Sequence, residues 1–275
     1  MEKQARIREK AIQETKTGDV SVKKKNNIDI RREETRSENA EKEKLSAKNF
    51  HNSKKSIIIK YWDSVCDKLN IDPDIRKKIP IIKNKRTYSD VPYYTSPSNE
   101  EDFGLPDSKK RGYIDYIEMD LEYVKNLEKN IIHEIIHALA DRYQPSLIKK
   151  YNFYYNKISK EKKESGYRER YADIELSLEG VPFLAEMILT NTQPHEILFA
   201  ATEEEKILNK TKAFEDWSYC RAKTISYYAA AYISLNFTEK ERLEIVEKIL
   251  KSPAETAAKE LLKFKSLIEK ELKEG

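Results

Sequence analysis

The sequence predicts an α+β fold that is predominantly helical, preceded by a charged N-terminal tail. After residue 55, apolar residues recur at intervals of three and four along most of the chain, which is the pattern of helices with one buried face. The stretch 111–119 is instead rich in tyrosine and isoleucine with isolated acidic residues, which is typical of a strand. The first 55 residues contain only 13 apolar side chains, too few to offset the entropy lost on ordering. We therefore predict that the tail over 1–55 is disordered, or helical only with a partner, and that 56–275 form one folded domain.

Charge is divided unequally between these two parts. The tail carries 16 basic and 10 acidic side chains, which leaves 36 basic and 38 acidic side chains for the rest of the chain. Its short basic runs could contact nucleic acid or an acidic assembly. Its ten acidic residues and its single aromatic residue, Phe50, favour a solvated tail of mixed charge over one that binds nucleic acid.

The N-terminal part of the domain combines one helix with shorter elements. A helix is predicted over 56–70, where isoleucine, tyrosine, tryptophan, valine and leucine share one face. A further helical turn fits 70–80, before Pro80. The stretch 87–95 is predicted as a strand or an ordered loop, and 96–110 as a loop.

The rest of the domain is predicted to be helical. After the 111–119 strand, Asp120 is a candidate N-cap for a helix over 121–142, which Pro145 prevents from running much further. Helical patterns then continue over 146–164, 168–191, 195–215, 217–236, 238–251 and 253–273. The last of these, over about 192–275, are predicted to form a helical subdomain that closes one side of a cleft.

The 121–142 helix contains the sequence HExxH, made by His133, Glu134 and His137. Histidines four apart on a helix are offset by about 40° and about 6 Å, so both imidazoles can reach one zinc ion. Glu134 is rotated by about 100° from His133, a position from which it can act as general base without binding the metal. With four histidines in 275 residues, the number of such motifs expected by chance in one chain of this composition is roughly 0.01.

A catalytic zinc ion needs a third protein ligand. The metzincin extension HExxHxxGxxH is absent, because Ala140 and Tyr143 occupy its glycine and histidine positions, and a thermolysin-type downstream motif is absent as well. Asp141 lies about 12 Å from His133 along the helix, too far to share the ion. The best remaining candidate is Glu179, which lies 42 residues after His137.

The combination of HExxH with Glu179, in the segment LEGVPFLAEM, resembles the gluzincins, and within them the peptidase-MA-like branch. The segment also resembles lethal-factor-like zincins and, more weakly, ImmA/IrrE-type regulator proteases; the likeness covers about residues 110–235. It implies a zincin-like metallopeptidase fold, with a short sheet against the active-site helix. It also implies one Zn²⁺ held by His133, His137 and Glu179, with Glu134 as base, and makes 111–119 the edge strand that pairs with an extended substrate.

Several further residues follow from this resemblance. Glu186 lies seven residues after Glu179, on the same face of a helix, where it could orient a ligating histidine. Gly180 and Pro182 indicate that a helix breaks or starts there, which leaves Glu175 as the alternative third ligand. Tyr171 and Tyr219 are the candidates for the donor that stabilises the oxyanion.

The sequence thus predicts a zinc-dependent endopeptidase that hydrolyses a peptide bond with zinc-activated water and Glu134 as base. The alternative is a catalytically inactive zincin-like binding or scaffold protein that acts through its basic tail. The first ten residues lack the apolar stretch of a secretory signal, and no stretch is long enough to cross a membrane. We therefore expect a cytoplasmic protein without a membrane partner, although export by another route or packaging into a particle also fits. Substrate specificity and oligomeric state are not encoded in any motif.

Overall fold

The computed structural model describes residues 56–84, 93–95, 116–119, 127–160 and 165–274. The predicted disordered tail over 1–55 and the predicted loop over 96–110 therefore lie outside the described residues. The described residues belong to one compact unit. The described part is predominantly helical, as predicted.

Ten helices are present in the described residues. They are α1 (56–68), α2 (Pro73–Arg76), α3 (Leu127–Tyr143), α4 (Leu147–Lys160), α5 (Ser165–Leu178), α6 (Gly180–Leu189), α7 (Pro194–Leu208), α8 (Phe214–Asn236), α9 (Glu239–Lys251) and α10 (Ala254–Glu274). Of the predicted helices, α4, α8, α9 and α10 begin and end within a few residues of their expected bounds. The first six residues of the predicted 121–142 helix lie outside the described residues.

Three short strands form a sheet: β1 (Ile81–Asn84), β2 (Tyr93–Thr95) and β3 (Tyr116–Met119). The strand order is β1-β3-β2, with β1 parallel and β2 antiparallel to β3. The expectation that 111–119 is an edge strand is therefore wrong for its described part. Both hydrogen-bonding sides of β3 are occupied, and no side is left for a substrate.

One hydrophobic core extends from α1 to α10 and surrounds α6. Every residue of α6 is buried, and the helix contacts α3, α5, α8, α9 and α10. Its sequence, GVPFLAEMIL, is apolar around nearly its whole circumference, which is the composition of a helix enclosed by others. The C-terminal helices share this core with α3, the helix that carries HExxH. The buried isoleucines of α3 anchor it in the core.

The helical structure is interrupted at Glu179, between α5 and α6. A single helix over 168–191 was the expectation of helical spacing alone, whereas the structure has two helices joined at this residue. Pro182 has no backbone N–H to donate to the carbonyl four residues earlier, so the regular ladder cannot continue through the junction. The prediction from Gly180 and Pro182 that a helix breaks or starts there is thus confirmed, and the prediction of one continuous helix is wrong.

A second difference concerns α7, which ends at Leu208 rather than near 215. The N–H groups of Lys210 and Thr211 donate to the carbonyls three residues earlier, which closes the helix with tight turns. The next helix, α8, begins only at Phe214. Among the described helices, none is both long enough and apolar enough to cross a membrane.

Gly180 is required where α6 begins because there is no room for a side chain. A Cβ atom at this position would lie 2.7 Å from Ser226 Oγ, 2.8 Å from Leu176 Cδ1 and 3.3 Å from Leu261 Cδ1. We expect Gly180→Ala to destabilise the protein by about 1–3 kcal/mol, as overpacking of a tight core does. Urea unfolding followed by circular dichroism measures the change.

Gly166 in α5 provides the matched control, because a Cβ atom there has nothing within 4 Å. Gly166→Ala should leave the free energy of unfolding unchanged or raise it by up to about 1 kcal/mol, since alanine favours helix. Equal stabilities of the two variants would contradict the packing explanation.

Candidate metal centre

The two histidines of the motif project from α3 at the border of the core. Ile131, Ile132, Ile135 and Ile136 bury the opposite faces of the helix. The side chains of His133 and His137 remain 12% and 11% exposed. Their Nε2 atoms lie 3.1 Å apart. The helix therefore directs both ring nitrogens toward one point near the protein surface.

Glu179 reaches the same point from the junction between α5 and α6. Its backbone N–H donates to the Glu175 carbonyl (2.8 Å), and its own carbonyl accepts from the Phe183 N–H (3.2 Å). Its Oε2 atom lies 3.6 Å from His133 Nε2 and 3.4 Å from His137 Nε2. The junction is thus fixed by backbone hydrogen bonds on both sides and presents the carboxylate to the histidines.

The separations between these three side-chain atoms are close to those between the ligand atoms of a zinc ion. Zinc binds histidine nitrogen and carboxylate oxygen at about 2.0–2.2 Å in tetrahedral geometry, so the ligand atoms should be about 3.3–3.5 Å apart. All three atoms lie within 4.8 Å of one another, and the closest separations are 3.1, 3.4 and 3.6 Å. In the described part of the chain, this is the one such group of histidine, cysteine and acidic side chains.

Two more carboxylates surround the histidines. Glu186 of α6 places Oε2 3.3 Å from His133 Nδ1, the nitrogen that faces away from the cluster. An acceptor there fixes the ring orientation and directs Nε2 toward a metal. Glu134 follows His133 on α3 and is 5% exposed. His133 therefore interacts with three carboxylates, those of Glu179, Glu186 and Glu134.

The close approach of histidines and carboxylates changes the proton affinity of both kinds of candidate ligand. Burial lowers the pKa of His133, but Glu179, Glu186 and Glu134 outweigh it and raise that pKa to about 10. Burial raises the pKa of Glu179, but His137 and His133 outweigh it and hold that pKa far below its usual range. A buried group of carboxylates is stable only with compensating positive charge, and a divalent cation would supply it.

Glu175, the alternative third ligand, lies elsewhere. Its carboxyl group is 4% exposed and interacts with the hydroxyl groups of Tyr151 and Tyr171 rather than with the histidines. Burial, and then the charge of Glu179, raise the pKa of Glu175 to about 8. The structure therefore brings Glu179, and not Glu175, to the two histidines.

This buried carboxyl group predicts a pH dependence of stability for the metal-free protein. Unfolding returns the pKa of Glu175 from about 8 to its ordinary value of 4.5, so between these values the folded state binds more protons and stability falls as pH rises. We expect Glu175→Gln, which mimics the protonated group, to be about as stable as wild type at pH 5. At pH 9 it should be more stable by about 2–5 kcal/mol.

Thermal unfolding in the presence of a chelator, repeated from pH 5 to pH 9, measures this difference. A difference between variant and wild type that stays constant with pH would show that Glu175 is ionised throughout.

The two tyrosines singled out from the sequence occupy different surroundings. Tyr171 is buried, and its hydroxyl donates to the Tyr151 hydroxyl at 2.7 Å. Tyr219 is 41% exposed, and its ring lies 5.8 Å from that of Phe183. Burial, and then the charges of Glu179 and Glu204, raise the pKa of Tyr219. Tyr219 thus lies on the side of the site that solvent reaches.

Two residues beside the centre were missed by the sequence reasoning. The Phe183 ring lies 4.6 Å from the His133 ring and covers one side of it. The hydroxyl group of Tyr151 in α4 accepts from the Tyr171 hydroxyl and also interacts with the carboxyl group of Glu175. Phe183 follows Glu179 by four residues, so helical spacing could have suggested it, whereas Tyr151 belongs to another helix and carried no signal among 17 tyrosines.

Comparison of the chain with protein-family models, with curated proteins and with solved structures finds no match in any of the three.

Proposed function

We propose that this chain is a zinc-dependent endopeptidase with a zincin-like fold. The observation that carries the proposal is the convergence of His133, His137 and Glu179 within 4.8 Å of one another, on the HExxH helix and the α5–α6 junction. Buried Glu134, and the hydrogen bond that Glu186 accepts from His133 Nδ1, add the base and the orienting acceptor that such a centre needs.

Zinc held by these three residues would supply Lewis acidity, which acidifies water and polarises a carbonyl group. Glu134 accepts the proton of the attacking water and returns it to the amine that leaves. Glu186 keeps His133 in the orientation that directs Nε2 to the centre. Tyr219, exposed beside Phe183, is the tyrosine that we assign to hydrogen-bonding the carbonyl oxygen as negative charge develops on it.

An extended peptide is the substrate that we infer. A peptide can add to a sheet edge through its main chain, and β3 has no free side. We assign this role to β2, because β2 contacts α3, the helix that carries HExxH.

Metal content tests the proposal directly. Purified full-length protein should contain about one zinc ion per chain by mass spectrometry of the metals, and it should cleave members of a diverse peptide library. Chelation should abolish cleavage, and added zinc should restore it. The double variant His133→Ala/His137→Ala should contain no zinc.

Absence of zinc from the wild-type protein, after refolding with excess zinc, would overturn the metal assignment. Bound zinc without cleavage of any library peptide would instead favour the inactive binding protein, whose proposed partner-binding segment is the tail over 1–55.

A further inference from the structure

A group of aromatic and charged side chains adjoins the candidate metal centre on the side of α8. Phe183 is its innermost member: its ring lies 4.6 Å from that of His133. The rings of Tyr219 and Tyr227, both from α8, lie 5.8 and 5.7 Å from the Phe183 ring in edge-on arrangement. An aromatic wall therefore begins at a candidate ligand and continues outward to the exposed Tyr219.

An ion pair is built into this wall. Lys223 lies four residues from each tyrosine on α8, so the three side chains share one helix face. Its Nζ lies 5.6 Å from the Phe183 ring centroid and 5.8 Å from that of Tyr227. The same Nζ pairs with the carboxylate of Glu204 in α7. The two charged side chains are 24% and 16% exposed, so solvent reaches both while most of each is covered.

The ion pair is also electrostatically connected to the metal centre. After burial, the charges of Glu179 and Glu204 are the two main causes that raise the pKa of Tyr219. Glu186 and Glu204 act in the same way on Tyr227. The wall therefore lies within the field of the centre on one side and of the ion pair on the other.

A substrate residue next to the scissile bond would meet this wall. In an extended peptide, successive residues are separated by about 3.3 Å and their side chains alternate between two faces. When a carbonyl group of the peptide lies at the metal centre, the side chain of the adjoining residue would therefore lie only a few ångströms from that centre. The Phe183 ring lies 4.6 Å from the His133 ring and is itself buried, and it supports Tyr219 and Lys223, which are the members of the wall that solvent reaches.

We propose that Tyr219 and the Lys223–Glu204 ion pair, which pack against the buried Phe183, form the subsite for a side chain next to the scissile bond, and that this subsite selects an uncharged aromatic or large apolar residue. The inference rests on the proposed peptidase function. Aromatic rings supply the favourable contact area. Because Lys223 and Glu204 neutralise each other, a charged substrate side chain would lose water here without gaining a free counter-ion.

Removal of one charge at a time provides a test with opposite expected outcomes. In Glu204→Gln, Lys223 is left unpaired, and we expect preference for aspartate and glutamate over lysine and arginine to rise about 10-fold in kcat/KM. In Lys223→Met, Glu204 is left unpaired, and the preference should shift about 10-fold toward lysine and arginine. The double variant should return to the wild-type preference.

A peptide library digested to low conversion, with both residues around each cleaved bond read by mass spectrometry, gives these ratios. A second measurement does not depend on turnover. Fluorescent peptides that carry phenylalanine, glutamate or lysine at the selected position are bound to the same variants, each combined with Glu134→Gln. The ratio of dissociation constants should shift in the same directions.

Lys206→Met is the matched control. Lys206 also lies on α7 and pairs with a glutamate, Glu203, but its side chain is 60% exposed and the pair lies on the helix surface. Its removal changes net charge by the same amount as Lys223→Met and should leave the preference unchanged. Tyr219→Ala, in an exposed part of the wall, should reduce the selectivity of peptide binding for phenylalanine over alanine when it is combined with Glu134→Gln. This binding readout does not depend on the proposed role of Tyr219 in catalysis, and it covers the case in which a single charge variant fails to fold.

Two outcomes separate this inference from the function on which it rests. Failure of wild-type protein to cleave any peptide overturns the proposed function, and the subsite with it. Cleavage by wild type with unchanged preferences in Glu204→Gln, Lys223→Met and Tyr219→Ala overturns the subsite alone.

Discussion

Glu134→Gln is expected to lower the kcat/KM of peptide hydrolysis by about 10²–10⁴-fold while zinc remains bound, because the loss of a positioned base costs this much. Glutamine has nearly the size of glutamate and retains polar atoms, so the buried position, 5% exposed in the wild type, stays filled. It cannot accept a proton from water near neutral pH. Parallel measurement of kcat/KM and zinc content separates loss of the base from loss of the metal.

Glu128→Gln is the control on the same helix. Glu128 lies in the first turn of α3 and is exposed, so the variant removes the same charge at a distance from the centre. Its kcat/KM and zinc content should equal those of wild type. Undiminished hydrolysis in Glu134→Gln would refute Glu134 as base.

The HExxH face could be predicted because its geometry is local. Four residues separate the histidines, and a helix converts that separation into neighbouring side chains whatever else surrounds it. The same reasoning placed most helices within a few residues, since apolar spacing follows from one buried face. Glu186 was placed beside a histidine by its seven-residue distance from Glu179, and its Oε2 lies 3.3 Å from His133 Nδ1.

What depended on distant parts of the chain could not be predicted. The strand order that encloses β3 arises from pairing with β1 and β2, of which β1 was not predicted and β2 was left undecided between strand and loop. The break at Glu179 is local in cause, yet its tight fit depends on Ser226 and Leu261, which are far away in sequence. Lys223 and Glu204 likewise lie on two different helices, so no sequence motif predicts their ion pair.

The choice between Glu179 and Glu175 as third ligand has the second large expected effect. Glu179→Gln should weaken zinc binding by about 100-fold or more, since even loss of a residue that only orients a ligand costs about 10–100-fold. Glu179 Oε2 lies 3.4 and 3.6 Å from the two histidine nitrogens, whereas the Glu175 carboxyl group faces Tyr151 and Tyr171. Glu175→Gln is therefore the matched control, with the same chemical change one helical turn away.

Competition with a chromophoric chelator measures both dissociation constants. Thermal unfolding gives an independent readout, because a ligand that binds only the folded state stabilises it in proportion to the logarithm of its affinity. With zinc well above its dissociation constant, a 100-fold weaker site should lose about 2.7 kcal/mol of zinc-dependent stabilisation. The stability of each metal-free variant, measured with chelator, is subtracted first, so that the effect of Glu175 on folding does not enter.

Glu175→Gln should keep zinc affinity within a few-fold of wild type. If Glu175→Gln instead lost zinc while Glu179→Gln retained it, the third ligand would be Glu175. The end of α5 would then have to shift by about one helical turn relative to the histidines. Equal loss in both variants would indicate that the two carboxylates are coupled electrostatically, since the charge of Glu179 also raises the pKa of Glu175. Only loss confined to Glu179→Gln agrees with the convergence of His133, His137 and Glu179.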